Sequence, residues 1–530
     1  MSLSGNISSV LNCSTAALSV SPFFGAEILS VEANLVQNYS TTVRRDYFFG
    51  HPTLTGTDLN FCNVTVTHTH PGRNDTLLTN IWLPTTTWNG RLQAIGGGGM
   101  VAGMFPLSNM GMAGAVIEGY ASVTINGGLP SEDAQAWALL SPGNANLYVL
   151  EDFASRGLAD GTVIAKDVVR SFYGREAEYS YWSGCSQGGR QGMMLAQRYP
   201  ELFDGIHASA PAFNWNEFLV GDFWVQQVLN EFGAYPHPCE LDALTTAAID
   251  ACDGLDGVVD GVISDIDGCK FDPYTMVGTS ITCADTNQTL QITETAAVAA
   301  DAVWTGTNGT APWYMPGHQA NMTRFDGVGG TTCANGTCTG APQALFTDWM
   351  SYFVMKDPDF DYSNMTREQY LDVYHAAIKE YTSIIGTNDS NLTAFRNAGG
   401  KMITYHGLAD QIIPFGNTRH YYDAVTAGDP DAKDYFRFFE APGVGHCSGG
   451  AGALPDHTFY SLVDWVEKGI VPTVLEATSD ADANGNVLER ILCPYPQTAK
   501  YDGSGNESSR DSWSCSDSGR RAEKPTAELR

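Results

Sequence analysis

The chain has 530 residues, with 59 Asp+Glu against 28 Lys+Arg and a formal net charge of −31. At about 100–200 residues per domain that length predicts two or three domains and a large core, and 43% apolar with 11% aromatic residues marks a globular chain. So negative a balance, with no Lys/Arg run, argues against nucleic acid and anionic membrane as partners, and the apolar runs are too short to span a bilayer.

In chain order, a first block carries strand-like runs at 77–83 (LLTNIWL), 92–95, 120–125 (YASVTI), 179–183 and 205–209. Between them, 157–174 and 188–199 have the spacing of amphipathic helices, with Gly174 as a stop. A second block has strands at 401–406 (KMITYH) and 435–440 (YFRFFE) and helices near 416–427 and 457–468. This alternation predicts an α/β fold with a mostly parallel sheet covered on both faces.

The stretch 211–398 reads differently. It is rich in Gly, Thr, Asn, Trp and Tyr, holds six cysteines, and shows only scattered helical patterns. It is expected to be a lid domain inserted into a catalytic domain made of 1–210 and 399–530. The polar tail after 500 lies beside Cys493 and Cys515, which could pin it down.

Twelve cysteines, with no CxxC pair accompanied by His at zinc spacing, predict a disulfide framework. Thirteen Asn-x-Ser/Thr sequons, at Asn6, Asn12, Asn38, Asn63, Asn74, Asn287, Asn308, Asn321, Asn335, Asn364, Asn388, Asn391 and Asn506, predict a secreted, N-glycosylated chain. The first twenty residues lack a basic and then apolar leader, so any signal peptide is expected to be already removed.

Gly184-Cys185-Ser186-Gln187-Gly188 follows the apolar strand YSYWSG and opens the helix GGRQGMMLAQRYP. Strand, turn and helix in that order are what a nucleophile elbow requires, the glycines relieving crowding around a strained Ser. A nucleophilic Ser needs a base, and the base an orienting acid. In the α/β-hydrolase order these follow as acid and then His: Asp410 lies in KMITYHGLADQIIP beyond one strand, and His446 in APGVGHC beyond the next. The rival bases His406, His420 and His457 fall on a strand end or on helices and are expected to be core or surface histidines. Cys185 precedes Ser186 and Cys447 follows His446. A bond between these cysteines would bring their Cα atoms to roughly 4.4–6.8 Å and clamp nucleophile and base together. The oxyanion donors are expected to be the Gln187 amide and a glycine of Gly96-Gly97-Gly98-Gly99, with Gly98 first and Gly97 beside it.

The acidic loop CDGLDGVVDGVISDIDGC spans 252–269. Asp253, Asp256 and Asp260, with the carbonyls of Val258 and Val262, are hard oxygen donors suited to a structural calcium ion. Without a third ligand nearby, His68-Thr69-His70 is expected to be an exposed face of an early strand.

Together, the GCSQGG elbow, GLADQIIP, GVGHC and CDGLDGVVDGVISD resemble the tannase and feruloyl esterase family over most of the chain, from about 10 to 515. The resemblance implies an α/β-hydrolase fold, a triad of Ser186, Asp410 and His446, and calcium at Asp253, Asp256, Val258, Asp260 and Val262. It also implies the pairs Cys185–Cys447, Cys13–Cys62, Cys252–Cys269 and Cys493–Cys515, and leaves Cys239, Cys283, Cys333 and Cys338 open. The implied activity is hydrolysis of an aromatic-acid ester, first a feruloyl ester of plant cell-wall polysaccharide and alternatively a galloyl ester. A different class, a non-catalytic glycoprotein that binds phenolics or glycans, would lack an intact Ser-Asp-His set. Lid aromatics such as Trp215, Phe218, Trp313 and Tyr352 are candidates equally for pocket wall and lid core.

Overall fold

The computed structural model describes residues 12–46, 50–284, 287–307, 328–482 and 484–517. Asn6, Asn308, Asn321 and Trp313 lie outside the described residues. Nine strands form one sheet: β1 (Glu27–Val43), β2 (Leu54–Thr69), β3 (Leu77–Pro84), β4 (Arg91–Ile95), β5 (Ala121–Ile125), β6 (Tyr179–Cys185), β7 (Gly205–Ser209), β8 (Lys401–Gly407) and β9 (Phe436–Ala441). Their spatial order is β1-β2-β3-β5-β4-β6-β7-β8-β9. From β5 to β9 neighbouring strands run parallel, and β1, β2 and β3 add an antiparallel wing. This is the α/β-hydrolase architecture, with crossover helices on both faces.

One face is covered by α1 (Pro106–Ile117) and α5 (Thr458–Lys468), which bury Met112, Phe459 and Trp465 against Ile95, Tyr181, Ile403 and Phe439. The other is covered by α2 (Arg156–Tyr173), α3 (Gln187–Arg198) and α4 (Phe415–Gly428). Their Val168, Leu195 and Val425 share a core with Leu92, Trp182 and Met402. Helix α2 stops where the sequence places its stop: Gly174 takes φ 72°, and its N–H caps the Arg170 carbonyl.

Segment 211–398 contributes no strand to this sheet. It is more helical than its sequence suggests, with helices at Trp215–Gly221, Trp224–Phe232, Pro238–Cys252, Glu294–Thr305 and Arg367–Ile385. Its Trp215, Phe218, Trp349 and Tyr381 are continuous with the core that holds Leu150 and Phe153.

All twelve cysteines are paired. The bonds are Cys13–Cys62, Cys185–Cys447, Cys252–Cys269 and Cys493–Cys515, and the four cysteines left open pair as Cys239–Cys283 and Cys333–Cys338. One expectation is overturned: His68 and His70 are buried, not exposed. They continue the inward register of Cys62, Val64 and Val66 along β2, because alternate residues of a strand share a face. Among the described residues, no helix is long and apolar enough to cross a membrane.

Candidate active site

Parallel strands send their C-terminal loops to one edge. There β6 ends at Cys185 and α3 starts at Gln187, leaving a single residue, Ser186, to make the turn. Its backbone is forced to φ 63° and ψ −123°, a region that non-glycine residues avoid. The neighbouring glycines follow from this close approach. A Cβ on Gly184 would lie 2.6 Å from the Gly188 backbone, and one on Gly188 would lie 2.9 Å from the Gly97 carbonyl oxygen. The Ser186 N–H donates to the Ser209 carbonyl at 3.1 Å, tying the elbow to β7.

Asp410 leaves β8 and His446 leaves β9, and the two meet. His446 Nδ1 lies 2.9 and 3.0 Å from the two Asp410 oxygens. A carboxylate only accepts, so Nδ1 carries the proton and Nε2 of the neutral ring is free to take one. Asp410 is fully buried, and its Oδ1 accepts from the Ile412 and Ile413 N–H groups at 2.9 and 2.8 Å. Burial alone would raise this carboxyl. The charge that His446 carries once protonated, with hydrogen bonds from His406 and His446, instead holds it well below the usual carboxylate range.

His406 is the residue whose place here sequence reasoning missed. It is buried, and its Nε2 lies 3.1 Å from Asp410 Oδ2 and 3.0 Å from the Ile413 carbonyl oxygen. Both partners accept, so Nε2 holds the proton and Nδ1 accepts from the Thr418 hydroxyl at 2.8 Å. The spacing of His406 and Thr418, a strand end and the first turns of the next helix, is the signal that could have found it. His420 and His457 are exposed. Gln411, next to Asp410, accepts from the His446 N–H at 3.0 Å, and the Tyr405 hydroxyl donates to the Cys447 carbonyl at 2.9 Å.

The Cys185–Cys447 bond joins residues 262 apart in sequence, with a Cα separation of 5.9 Å. Ser186 and His446 consequently line one cavity of about 380 Å³, together with Gly96–Gly99, Ile95, Phe105 and Leu107. The glycine run corrects the oxyanion assignment. The Gly97 N–H donates to Gln191 Oε1 at 2.9 Å and the Gly98 N–H to the Val101 carbonyl at 3.0 Å, so neither is available to a ligand. Among the described residues no acceptor meets the Gly99 N–H, and the Gln187 N–H opens α3, where a helix has no acceptor of its own.

None of the described residues lining this cavity comes from 211–398. Trp215 and Phe218 are buried in the core that they share with Leu150 and Phe153, and Tyr352 is half-buried against it. Among the described residues, Phe105, a loop residue next to α1, places a phenyl ring on the cavity wall.

The acidic loop folds back on itself. Asp253 accepts from the Asp260 and Gly261 N–H groups at 3.0 and 2.8 Å, and Asp256 Oδ1 from the Val258 N–H at 3.0 Å. Asp260 accepts from the Val262 N–H at 3.2 Å and pairs with Arg490 at 2.5 Å. Asp256 Oδ2 is buried with no hydrogen-bond partner. The loop packs under the site: Ile263 and Ile266 share a cluster with Leu408 and Phe415, which flank Asp410, and Val262 lies against Gly443 in the His446 loop.

The family model described as "Tannase and feruloyl esterase" matches residues 62–516. A "Probable feruloyl esterase" of Arthroderma benhamiae is 38% identical over 500 residues, covering 93% of this chain and 91% of its own length. Two solved structures superimpose over nearly the whole molecule. The tannin acyl hydrolase from Aspergillus niger has a TM-score of 0.83 at 29% identity, covering 95% of this chain and 94% of that one. Feruloyl esterase B from Aspergillus oryzae has a TM-score of 0.76 at 25% identity, covering 93% and 97%. A match of this extent, on a chain whose elbow, paired Asp and His, and flanking disulfide meet at one sheet edge, means that it belongs to the tannase and feruloyl esterase family.

Proposed function

We propose that this protein is a serine carboxylic ester hydrolase that cleaves feruloyl esters through an acyl-enzyme on Ser186. The observation that carries the reading is the His446–Asp410 pair, held beside Ser186 by the Cys185–Cys447 bond. His446 Nε2 takes the Ser186 proton as Oγ attacks the ester carbonyl, and the Gln187 and Gly99 amides receive the oxyanion. The same proton passes from His446 to the departing alcohol. Water, deprotonated by His446, then releases the acid and restores Ser186. Asp410 keeps the ring in the required tautomer and stabilises the imidazolium.

An aromatic acyl group suits a cavity of about 380 Å³ walled by Ile95, Phe105 and Leu107. A feruloyl ring carries one phenolic hydroxyl beside its methoxy group, and Asp46, Ser108, Ser183 and Ser448 also line the cavity to meet it. A galloyl ring would bring three hydroxyls, each costing about 1–3 kcal/mol if buried without a partner. The galloyl reading nevertheless has its own support in the likeness to a tannin acyl hydrolase. Hydrolysis of methyl ferulate and methyl gallate, measured side by side with Ser186→Ala, separates them. Ferulate turnover that disappears in the variant is the expected result; gallate preference would make the protein a galloyl esterase, and turnover that survives in Ser186→Ala would remove the nucleophile.

The acidic loop fits a structural calcium ion. Three carboxylates converge among backbone turns, and one of their oxygens, Asp256 Oδ2, is buried without a partner. Asp253, Asp256 and Asp260, with the Val258 and Val262 carbonyls, are the residues that would hold it, and its part is to fix the loop that packs beneath the Asp410 and His446 turns. A secreted, glycosylated protein is supported by six disulfides and by nine exposed sequon asparagines among the ten described, Asn63 being half-buried.

A further inference from the structure

A second polar cluster lies where β2 ends and the chain turns toward β3. His70 Nδ1 is 2.6 Å from Asp75 Oδ2 and 3.7 Å from Asp152 Oδ1, while its Nε2 is 2.8 Å from Asp160 Oδ2. One donor atom from each of His70, Asp75 and Asp152 lies within 4.8 Å of the other two, and all three residues are buried. Asp75 is held in place: its Oδ1 accepts from the His70 N–H at 2.7 Å and the Thr69 hydroxyl at 2.9 Å, so Oδ2 is turned to the ring.

Asp152 is the unexplained member. It is 0% exposed, neither of its oxygens accepts from an N–H or hydroxyl donor, and burial beside the Asp75 carboxyl pushes it up to about 8. The cations nearest to it are already engaged. Arg73, 3.8 Å away, bonds Glu151 at 2.7 Å, and Arg156 lies 3.4 Å from Asp160. One imidazole thus faces two buried carboxylates, and Asp152 meets the His70 ring and the already bonded Arg73 no closer than 3.7 and 3.8 Å. His68, its ring centroid 5.8 Å from that of His70, has both nitrogens buried without partners at the same place.

We propose that His70 Nδ1, Asp75 Oδ2 and the Asp152 carboxylate form a site for a divalent ion of the zinc class, separate from the acidic loop at 252–269. The donor chemistry selects the ion: one imidazole nitrogen with two carboxylates suits zinc, whereas calcium takes about six to eight oxygens. Two positive charges match two carboxylates once the ring is neutral. Its single ring proton then sits on Nε2 and is donated to Asp160, the carboxylate–histidine–metal arrangement that orients metal-bound imidazoles. The site is structural. A Cβ on Gly127 would lie 2.6 Å from Ala102 and 3.4 Å from Phe153, so the Asp152 segment backs directly onto the loop that leaves β4.

The test uses the full chain in saturating calcium, so that the acidic loop is not what takes up the probe. Transition metals are stripped, the protein is dialysed against zinc, and retained zinc and thermal unfolding are measured. One zinc per chain and a raised Tm are expected, both lost in Asp152→Asn and in His70→Asn, with ester hydrolysis kept. Asp152→Asn should also leave the metal-free protein about as stable as wild type, because without the ion burial already favours the uncharged form of that carboxyl. No retained zinc, or the same zinc in Asp152→Asn, would overturn the site. If the variants do not fold, X-ray absorption of zinc-loaded wild type decides: an imidazole nitrogen among oxygens supports it, and an all-oxygen shell sinks it.

Discussion

Asp410 shows how much a single side chain carries in this site. It takes two backbone N–H bonds, His446 on one side and His406 on the other, while fully buried. Asp410→Asn keeps the shape and removes the charge, so kcat for an aromatic ester should fall by about 10⁴-fold with little change in KM. The stability effect has a defined sign. Because the folded-state carboxyl is held below its ordinary value of about 3.9, its contribution is complete above that pH and is lost as pH falls through the lower, folded-state value. Denaturant titrations should find the gap between wild type and variant shrinking as pH falls below about 4; a gap that widens on that acidification would reverse the assignment. At this scale Ser186, Asp410 and His446 are legible in the sequence, because each sits in a glycine-marked turn after an apolar run. The oxyanion donors are not. Which amide of Gly96–Gly99 stays free depends on Gln191 and Val101 claiming the others, a tertiary fact that four identical residues cannot encode.

Elements were readable where their pattern is periodic. The strands at 77–83, 179–183 and 401–406 and the helices at 157–174 and 188–199 fall within one or two residues of the observed ones. Strand β1 escaped because its residues are exposed or half-buried almost throughout, with Asn, Ser and Thr in place of an apolar stripe. Strand β2 does alternate, and its inward positions Cys62, Val64, Val66 and His68 carry the signal that also buries the histidines. The acidic loop stands out by composition, but its position does not. It lies against Leu408, Phe415 and Gly443, and so supports the two turns that present Asp410 and His446. Chelation should therefore lower kcat together with Tm, by about 4 kcal/mol of stability where calcium stood at a thousandfold its Kd. Calcium should restore both in wild type and neither in Asp256→Asn. A chelator that leaves Tm unchanged would remove the ion from the loop.

At the scale of the whole molecule, the sheet is assembled from two stretches of chain separated by 211–398, and the reacting groups come from both. Ser186 belongs to the first stretch, Asp410 and His446 to the second, and β7 pairs with β8 to join them. Backbone pairing fixes strand register but not the loop beyond β9, where His446 sits in the glycine-rich run 443–452. The Cys185–Cys447 bond supplies that constraint, closing 262 residues of chain beside the elbow. Its two effects can be separated. Loop closure of that length stabilises by constraining the unfolded chain, at most about 5 kcal/mol and typically 2–4 kcal/mol, which would appear as a lower denaturant midpoint in the double variant Cys185→Ala with Cys447→Ala. Holding the His446 loop in register acts only on the reaction, so kcat should fall further than the folded fraction does, while KM for a small ester, set by the wall of Ile95, Phe105 and Leu107, stays nearly constant. A double variant that loses stability but keeps wild-type kcat per folded molecule would mean that Tyr405 and Gln411, bonded to Cys447 and His446, position the loop unaided.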